Sequence, residues 1–407
     1  MILMNRDFKN VEFLKKITNE DYENFLKLSP MIPFSDSIIK YLDALSKEIN
    51  NDSRIRDYPD VATFSFFCRK ANISRLKKKF NDDQIIKLGR GVLFHIAPSN
   101  VPVNFGFSMI MGLLSGNCNV VRVPSINFDQ INIIVSAINR LANNSRYILI
   151  SNRIILVRYD RNDIATKFFS LDCDIRIIWG GDETIKEIRK NDLQPRAFDI
   201  TFADRYSLCA INANEFINNK NPIKIANDFY NDTYLIDQNA CTSPHLILWI
   251  GSKNNVTISK KIFWECLYNI VKDKYEIKPV SAINKLTTLY EQAIMMDKIT
   301  LEHSKDNLIL RTNLNNLEYN IDSFRCDSGY FSEYNSSSLK DLSKIINRKY
   351  QTLSYYGFDK DYLSNVIDEL KPCGIDRVVP IGRTMDFSLI WDGYNIIESM
   401  SRNIEIV

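Results

Sequence analysis

The sequence predicts an α/β protein with parallel sheets and a helical N-terminal region. From residue 89 onwards, short apolar runs with strand character alternate with helical segments, and Gly or Pro marks the turns between them. Two consecutive strand–helix–strand units stand between residues 92 and 179, an order that favours parallel strands. The length of 407 residues exceeds the ~250–300 at which a single core stops growing, so two or three domains are expected.

Composition and charge narrow the class of protein. Hydrophobic residues make up 45% and charged residues 25% of the chain, as in ordinary globular proteins. The net charge of +3 gives no support for a nucleic-acid partner. The longest nearly apolar run, 105–114, is about half of the ~20 residues that a membrane span needs, and the first residues do not resemble a signal sequence. We therefore expect a soluble, cytoplasmic protein.

The eight cysteines are spread along the chain, with at least 25 residues from each to the next. No C-x-x-C pair is present, so the spacing favours neither a zinc knuckle nor a dithiol redox motif. We expect reduced thiols and no bound metal.

Residues 1–85 are charged and helix-prone, and they contain no catalytic pattern. One apolar helix face is formed by Ile38, Tyr41, Leu42, Leu45 and Ile49. The basic run Arg75–Lys79 is interpreted as a solvated helix face.

The remaining elements follow from periodicity and turn residues. Apolar runs predict strands at 92–97, 119–123, 151–159, 175–179, 246–250 and 351–356, and one continuous strand at 198–211. Helical spacing predicts helices at 105–114, 126–142, 163–171, 184–190, 222–232, 260–272, 281–296 and 361–370, and the start of a helix at 341–346. Residues 300–335 are expected to form short strands and loops, and a segment marked by glycine and aromatic residues closes the chain.

Two loops of the first unit follow predicted strands, where open parallel sheets bind ligands. One loop holds Ser99 and Asn100 between two prolines, and the other runs from Arg122 to Ser125. Asn100 either faces a ligand or satisfies backbone groups in its proline-bracketed turn. Arg122 either contacts a ligand or forms a surface ion pair.

A strand–glycine–helix turn occurs at Gly180-Gly181-Asp182-Glu183. Backbone N–H groups at such a helix N-terminus can face a nucleotide, although the turn is not a G-x-G-x-x-G motif. The carboxylates of Asp182 and Glu183 would repel a pyrophosphate, and they also fit the role of helix caps. A contact to ribose or nicotinamide is therefore favoured over a phosphate cradle.

The polar loop Asp237–His245 carries Cys241 among small residues and runs into an apolar strand. Small neighbours leave room for an acyl group to reach the sulfur, which makes Cys241 a candidate nucleophile. His245 is either a partner of the thiol or a structural residue. His95 lies in a strand and is expected to be a core or hydrogen-bonding residue.

Eight segments in order resemble the LuxC family of acyl-CoA reductases, a branch of the aldehyde dehydrogenase superfamily. They span roughly residues 85–402, and no match covers the N-terminal 85 residues. The matching segments are H-I-A-P-S-N-V-P at 95–102, L-L-S-G-N-C-N-V-V-R-V-P-S at 113–125, I-I-W-G-G-D-E-T-I at 177–185, D-R-Y-S at 204–207, D-Q-N-A-C-T-S-P-H at 237–245, Q-T-L-S-Y-Y-G at 351–357, G-I-D-R-V-V-P-I-G at 374–382 and W-D-G at 391–393.

The resemblance implies roles for particular positions. Cys241 matches the nucleophile that forms a thioester, and Asn100 matches the amide that completes the oxyanion hole with the backbone N–H of that cysteine. Arg122 stands where the superfamily has a lysine facing the adenosine ribose, and with Ser125 it suits the 2′-phosphate of NADPH. Gly180–Gly181 matches the turn after a cofactor strand. The expected cofactor-binding residues are Ser99, Arg122, Ser125, Gly180, Gly181 and Asp182.

One departure from the superfamily bears on the mechanism. Aldehyde dehydrogenases that hydrolyse their thioester have a general-base Glu five residues before the serine that Ser207 matches, and Phe202 occupies that position in this chain. Without a base to activate water, the thioester should survive until hydride reduces it. The resemblance thus implies reduction of an acyl-CoA or acyl thioester to the aldehyde by NADPH.

The resemblance also implies an aldehyde dehydrogenase-like architecture with two Rossmann-like three-layer α/β/α domains. We expect residues 1–210 to hold the helical region and cofactor domain, 211–375 the catalytic domain, and 376–407 a segment that returns to the cofactor domain and makes oligomer contacts. Expected partners are an acyl-transferase or acyl-protein synthetase and further copies of the chain. A dehydrogenase running towards the acid, a non-redox thioester acyltransferase and a non-catalytic subunit of an acyl-handling complex are the alternatives.

Overall fold

The computed structural model describes residues 11–15, 17–80, 86–99, 101–160, 163–303 and 306–406. Its α-helices are α1 Asn19–Leu26, α2 Asp36–Asn50, α3 Pro59–Cys68, α4 Lys70–Phe80, α5 Asn104–Leu114, α6 Asp129–Ala142, α7 Ile148–Ser151, α8 Asp163–Asp172, α9 Asp182–Arg189, α10 Ala213–Phe216, α11 Pro222–Thr233, α12 Lys253–Lys274, α13 Pro279–Met295, α14 Lys360–Leu370 and α15 Ile396–Ser399. Its strands are β1 Glu12–Phe13, β2 Ile86–Gly89, β3 Val92–Ile96, β4 Cys118–Arg122, β5 Ile154–Arg158, β6 Ile175–Trp179, β7 Phe198–Phe202, β8 Tyr206–Asn212, β9 Pro244–Ile250, β10 Ile299–His303, β11 Leu310–Leu314, β12 Tyr330–Ser336, β13 Tyr350–Tyr356, β14 Arg377–Pro380, β15 Ile390–Trp391, β16 Tyr394–Asn395 and β17 Ser401–Ile404. Short 3₁₀ helices cover Ser53–Asp57, Ser145–Tyr147, Tyr234–Ile236, Ile321–Phe324 and Leu339–Lys344. Across these described ranges, no helix has the length and apolarity to cross a membrane.

Packing divides the chain into two compact units. The first comprises residues 1–203 and 394–407, and the second comprises residues 204–393. These units are defined by contacts, whereas the expected domains at 1–210, 211–375 and 376–407 are functional divisions. That functional division stays a prediction.

The first unit is organised on a six-stranded sheet in the order β1-β5-β4-β3-β6-β7. The strands β3 to β7 are parallel, and β1 is antiparallel at the edge. Counted from β3, the parallel strands follow the order 3-2-1-4-5 of a Rossmann sheet. The direction of winding reverses between β3 and β6, so their carboxyl ends border the crevice where such sheets bind ligands.

The two faces of this sheet are buried by different helices. Phe94 and Val120 pack on one face with Tyr22 of α1 and Phe169 of α8. His95 points the other way because successive strand residues alternate between faces. Its Nδ1 is 2.7 Å from the Ser108 hydroxyl of α5, and its Nε2 is 2.9 Å from the Asn119 Oδ1. The prediction that His95 is a core, hydrogen-bonding residue is confirmed.

The N-terminal helices cover this unit as the periodicity indicated. The predicted apolar face of α2, with Tyr41, Leu42, Leu45 and Ile49 at 0% exposure and Ile38 at 1%, is fully buried. Removing that much apolar surface from water is worth about 1.5–3 kcal/mol per large side chain, which is the main reason that α2 is held in place.

The C-terminal tail completes the first unit. β17 pairs antiparallel with β2, from Ser401 opposite Gly89 to Ile404 opposite Ile86. The buried Asn117 Nδ2 donates to the Met400 carbonyl at 2.9 Å. Residues far apart in sequence therefore close the same unit.

The second unit contains a seven-stranded sheet in the order β10-β11-β12-β9-β8-β13-β14. All pairs except β10–β11 are parallel. One face packs Ile247 and Trp249 against Phe229 of α11 and Phe263 of α12. The other face packs Leu246 and Leu248 with residues of α14. The expected α/β fold with Rossmann-like three-layer organisation is confirmed.

Two predictions of secondary structure were wrong in detail. The run 198–211 is two strands, because β7 belongs to the sheet of the first unit and β8 to that of the second. The polar segment Ala203-Asp204-Arg205 separates them. The helix predicted to begin at 341 is a short 3₁₀ helix, Leu339–Lys344.

Candidate active site

The loop before β9 carries Cys241 and is held in a strained bend. Asp237 and Gln238 have φ values of 52° and 58°, a region that residues with a Cβ seldom occupy. The buried Gln238 side chain fixes the bend: its Nε2 donates to the carbonyls of Pro244 and Tyr330 at 2.9 and 3.1 Å. Its Oε1 accepts from two backbone N–H groups at 2.9 and 3.2 Å. The bend therefore persists because one amide side chain is fully satisfied on both ends.

The backbone of Cys241 is fixed at the amino ends of parallel strands. The Ser207 hydroxyl donates to the Cys241 carbonyl at 2.6 Å and accepts from the Thr352 N–H at 3.1 Å. The Arg325 Nη2 donates to the Asn239 carbonyl at 2.9 Å. Ser207 is the second residue of β8 and Thr352 is the third of β13, so two strands and one cation set the position of the cysteine.

Cys241 is a partly exposed residue, and its thiol contacts one side-chain hydrogen-bond donor, the Gln351 Nε2 at 3.4 Å. Burial and, to a smaller extent, the Asp392 carboxylate raise the pKa of this thiol to about 11, although the Gln351 amide, Arg325 and Arg205 act in the opposite direction. The resting thiol is therefore protonated at neutral pH. It becomes a nucleophile only when a change in its surroundings lowers the thiol pKa and so favours the thiolate.

A network of charged side chains surrounds the contact between Gln351 and the thiol. The Gln351 Nε2 also donates to the Asp392 Oδ1. Arg205 forms an ion pair with Asp376, and its Nε lies 4.0 Å from the Asp392 Oδ1. The Asp392 side chain is only 4% exposed, and burial raises its pKa above the ordinary value. Asp392 and Gly393 have φ values of 48° and 76°, a left-handed turn that aims the carboxylate inward.

His245, the second residue of β9, is buried and stacks on Tyr206, with ring centroids 5.6 Å apart. Within the described residues, neither ring nitrogen hydrogen-bonds to a side chain. Burial holds the pKa of His245 well below its ordinary value, with Arg325 acting in the same direction. A neutral, stacked imidazole favours the structural interpretation over that of a base for the thiol.

Arg122 and Ser125 follow β4 in the first unit. Arg122 is half-buried: its Nε and Nη2 donate to the Tyr159 carbonyl at 3.3 and 3.2 Å, and its guanidinium lies 4.6 Å from the centroid of the Tyr159 ring. Ser125 is exposed and lines an open pocket of about 460 Å³ with Arg158, Tyr159 and Asp160. This pocket lies at the carboxyl ends of β4 and β5, and its hydroxyl and guanidinium groups are suited to a ribose or a phosphate.

The glycine turn follows β6 as predicted. Gly181 caps α9, Asp182 is the first residue of that helix and is exposed, and a Cβ on Gly180 would lie 3.2 Å from the Thr184 Cγ2. Ser99 is exposed after β3. Asn100 lies outside the described residues, so its predicted part in an oxyanion hole stays a prediction.

Phe202 is the residue predicted to stand at the general-base position of hydrolytic relatives. Its ring is 4% exposed and stacks on Trp179 with centroids 3.7 Å apart and an interplanar angle of 15°. Tyr394 packs edge-on against the same ring at 5.9 Å. The position is filled by aromatic packing and offers no proton acceptor.

The sequence identified the nucleophile candidate and the strand-end loops but did not assign roles to the residues around the thiol. These residues are Arg205, Ser207, Arg325, Gln351 and Asp392. All except Arg325 fall in segments that carried the family resemblance. A further signal was available, because a buried-strand Gln and an Asp before Gly are unusual in otherwise apolar surroundings.

Comparison with known proteins places these observations in a family. The sequence model described as acyl-CoA reductase (LuxC) matches residues 73–403. A search of curated proteins finds no match.

Solved structures with a similar fold are aldehyde dehydrogenases. Aldehyde dehydrogenase 21 from Physcomitrella patens, in complex with the reaction product succinate, is 11% identical, with a TM-score of 0.64 over 96% of this chain and 90% of that chain. An NAD-dependent benzaldehyde dehydrogenase from Corynebacterium glutamicum is 11% identical, with a TM-score of 0.60 over 94% and 86%. Betaine aldehyde dehydrogenase from Staphylococcus aureus, in complex with NAD⁺, is 13% identical, with a TM-score of 0.61 over 90% and 82%. At these identities the likeness is one of fold.

Proposed function

The chain belongs to the LuxC family of acyl-CoA reductases, and from that premise we propose that Cys241 is its nucleophile and NADPH its hydride donor. As a member of this family, the enzyme reduces an acyl-CoA to the aldehyde. The observation that carries the proposal is the placement of Cys241, a partly exposed residue in a rigid loop with an amide donor 3.4 Å from its sulfur.

In the first step the Cys241 thiolate attacks the acyl carbonyl, and the bond between that carbonyl carbon and the CoA sulfur breaks. The CoA thiolate leaves and takes up the proton that Cys241 released. The oxyanion of the tetrahedral intermediate is stabilised by the Cys241 backbone N–H and by Asn100, as the resemblance implies. One such donor typically contributes about 10²–10³ in rate.

The second step releases the aldehyde. A reduced nicotinamide, when bound, supplies hydride to the carbonyl carbon of the thioester. The bond between that carbon and the Cys241 sulfur then breaks, so that aldehyde leaves and the thiolate is regenerated. Phe202 favours this outcome because it gives water no general base.

The pocket at the carboxyl ends of β4 and β5 supports binding of the adenosine end of NADPH. Ser125 and Arg158 line it, and Arg122 lies beside it on the Tyr159 ring. The Ser125 hydroxyl and the Arg122 guanidinium suit a ribose 2′-phosphate, since arginine binds phosphate through N–H donors. Arg158 forms an ion pair with Glu12, which also lines the pocket, at 3.3 Å. Ser99, Gly180, Gly181 and Asp182 are proposed to contact the rest of the cofactor.

A second pocket, of about 410 Å³, lies beside the Cys241 loop. It supports CoA as the group that carries the acyl chain. It is lined by Asn239, Asn284, Thr288, Arg325 and Asp327, among others. The Asp327 Oδ1 is buried without a hydrogen-bond partner among the described residues. Amide, hydroxyl and charged groups suit the amide-rich pantetheine arm of CoA better than an acyl chain.

The test is the Cys241→Ala variant, with Cys266→Ala as the control because Cys266 is also partly exposed. Intact mass spectra after incubation with acyl-CoA, without cofactor, should show one acyl adduct in the wild type and in Cys266→Ala, and none in Cys241→Ala. Acyl-dependent oxidation of NADPH, followed by absorbance, should be lost only in Cys241→Ala. Retained turnover in that variant would refute the nucleophile assignment, and free acid formed from aldehyde and NAD(P)⁺ would indicate a dehydrogenase.

A further inference from the structure

The side chain of Gln351 is held in a defined orientation beside the Cys241 sulfur. Gln351 is fully buried at the start of β13, and its Nε2 is 3.4 Å from the Cys241 Sγ. The same nitrogen donates to the Asp392 Oδ1, and the Thr352 hydroxyl donates to the Gln351 Oε1 at 3.3 Å. An ionised carboxylate can only accept hydrogen bonds, so Asp392 forces the NH₂ end of the amide towards the sulfur.

The neighbours of Gln351 and Asp392 lock this arrangement. The Asp376 N–H donates to the Gln351 carbonyl at 2.8 Å, which fixes the backbone. Arg205 lies between Asp376 and Asp392 and balances their charge. Asp392 has a left-handed conformation, φ 48°, a region that few residues with a Cβ other than Asp and Asn occupy.

We propose that Gln351 is a further catalytic residue, whose amide N–H stabilises the Cys241 thiolate, and that Asp392 is the positioning residue that orients this amide. The inference rests on the proposed function, in which Cys241 is the nucleophile. The thiolate occurs twice in each cycle, first before attack on the acyl-CoA and again when the aldehyde leaves. A donor at the sulfur therefore assists both steps, whereas an oxyanion hole acts on the oxygen.

The two residues act on the thiol in opposite directions. The amide of Gln351 favours the thiolate by hydrogen bonding, and the charge of Asp392 disfavours it. The other charged groups that face the thiol are Arg205, Arg325 and Arg377. These cations are present in both variants.

The test measures the rate at which iodoacetamide alkylates Cys241 as a function of pH, with neither acyl-CoA nor cofactor present. The extent of reaction is read by peptide mass spectrometry. Gln351→Met keeps the volume but removes the donor, and it should slow alkylation of Cys241 at neutral pH by about tenfold, the equivalent of one pKa unit. Asp392→Asn keeps an acceptor for the amide but removes the charge, and it should speed alkylation several-fold, on the order of half a pKa unit. Both variants should lower kcat for reduction more than they change KM for acyl-CoA.

Controls separate this role from a general loss of structure. Gln292→Met changes another buried Gln of the same unit, and it should leave the pH profile of Cys241 unchanged. Alkylation of the exposed Cys373 in every variant provides an internal standard. If Gln351→Met does not fold, Gln351→Asn, which withdraws the amide by one methylene, replaces it and should also slow alkylation.

The possible outcomes distinguish this inference from the proposed function. Slower alkylation in Gln351→Met supports a donor role for Gln351, and faster alkylation in Asp392→Asn shows the effect of the Asp392 charge on the thiol. A lower kcat in Asp392→Asn with little change in KM supports the positioning role of Asp392. Unchanged profiles in both variants overturn those roles and leave the function of Cys241 intact. Retained turnover in Cys241→Ala would instead remove the proposed function itself, whatever the alkylation profiles show.

Discussion

At the scale of single residues, the reactivity of Cys241 is set by a balance of opposing effects. Burial and the Asp392 carboxylate hold the thiol pKa at about 11, against the Gln351 amide and two arginines. With that pKa, roughly one molecule in 10⁴ carries the thiolate at pH 7. A thiol with this pKa reacts slowly with alkylating agents at neutral pH. We infer that binding of the acyl donor must shift the balance before attack occurs.

The choice of cofactor is a second property of single residues. In Ser125→Glu, a carboxylate replaces the hydroxyl in the pocket that Arg158 and Tyr159 also line. It should repel the 2′-phosphate of NADPH and accept from the 2′-hydroxyl of NADH. We expect KM for NADPH to rise about tenfold or more, a change of ~1.4 kcal/mol, with little change for NADH.

Steady-state kinetics with each cofactor at saturating acyl-CoA measures this selectivity. Ser125→Ala serves as the control, because it removes the hydroxyl without adding charge. An equal rise in KM for both cofactors in Ser125→Glu would place the 2′-phosphate elsewhere.

The sequence could identify Cys241 but not the residues that tune it. A thiol among small residues before an apolar strand is a local pattern, and the family motifs supported it. Gln351 and Asp392 lie 110 and 151 positions further along the chain, so only the fold brings them to the sulfur. His245 is close in sequence and chemically attractive, yet its ring is buried and stacks on Tyr206.

At the scale of elements, Asp232 connects the end of α11 to the loop before β15. Its Oδ2 accepts from the Gly382 N–H at 2.6 Å, and its Oδ1 accepts from the Thr384 N–H at 3.1 Å. Burial raises the pKa of this carboxyl from 3.8 to about 6, although the two N–H groups act to lower it. The charged form is thus less favourable in the folded than in the unfolded chain.

This shift predicts the sign of a pH effect on stability. A carboxyl with a raised pKa binds its proton more tightly in the folded than in the unfolded protein. Its contribution to the free energy of unfolding is therefore most favourable below pH 3.8 and is lost as the pH rises through 6. A shift of about two pKa units corresponds to about 3 kcal/mol. Relative to the wild type, Asp232→Asn should therefore gain up to that amount in free energy of unfolding between pH 4 and pH 7.

Thermal unfolding followed by circular dichroism over this pH range measures the difference. Substitution by Asn also costs one acceptor, but that cost does not depend on pH. Asn227→Ala, on the same helix, alters no titratable group and is the control. A constant difference between Asp232→Asn and wild type would show that Asp232 titrates normally in the folded protein.

Helices and strands were predictable from the sequence where the periodicity of apolar residues was clear. They were not predictable where one apolar run passes from one sheet to the other. The apolar face of α2, the buried strand β6 and the helix α14 follow directly from spacing. The run 198–211 contains enough β-forming residues for one long strand, and no local signal shows that its two halves join different sheets. The turn at Ala203-Asp204-Arg205 is short and lacks Gly or Pro, so the break depends on tertiary packing.

At the scale of the whole molecule, the same strand order occurs twice. The central parallel strands of the second sheet, β12-β9-β8-β13-β14, repeat the 3-2-1-4-5 pattern of β5-β4-β3-β6-β7. The candidate sites nevertheless use opposite strand ends. The residues proposed for the cofactor follow strands of the first unit, whereas Cys241, Ser207 and Gln351 lie at the amino ends of strands in the second. The rule that ligands bind at carboxyl ends therefore predicts one site and not the other.

Because the two proposed sites belong to different units, each ligand should protect a different part of the chain from hydrogen exchange. A ligand that binds only the folded state suppresses local opening around its own site. NADPH should slow exchange in peptides that span 122–125 and 180–184 of the first unit. Acylation of Cys241 by acyl-CoA without cofactor should slow exchange in peptides that span 237–243 and 351–356 of the second. Exchange followed by mass spectrometry, with Cys241→Ala as the control that binds but cannot be acylated, resolves the two patterns. If NADPH instead protected the 237–243 segment and left 122–125 and 180–184 unchanged, the assignment of the cofactor to the first sheet would be wrong.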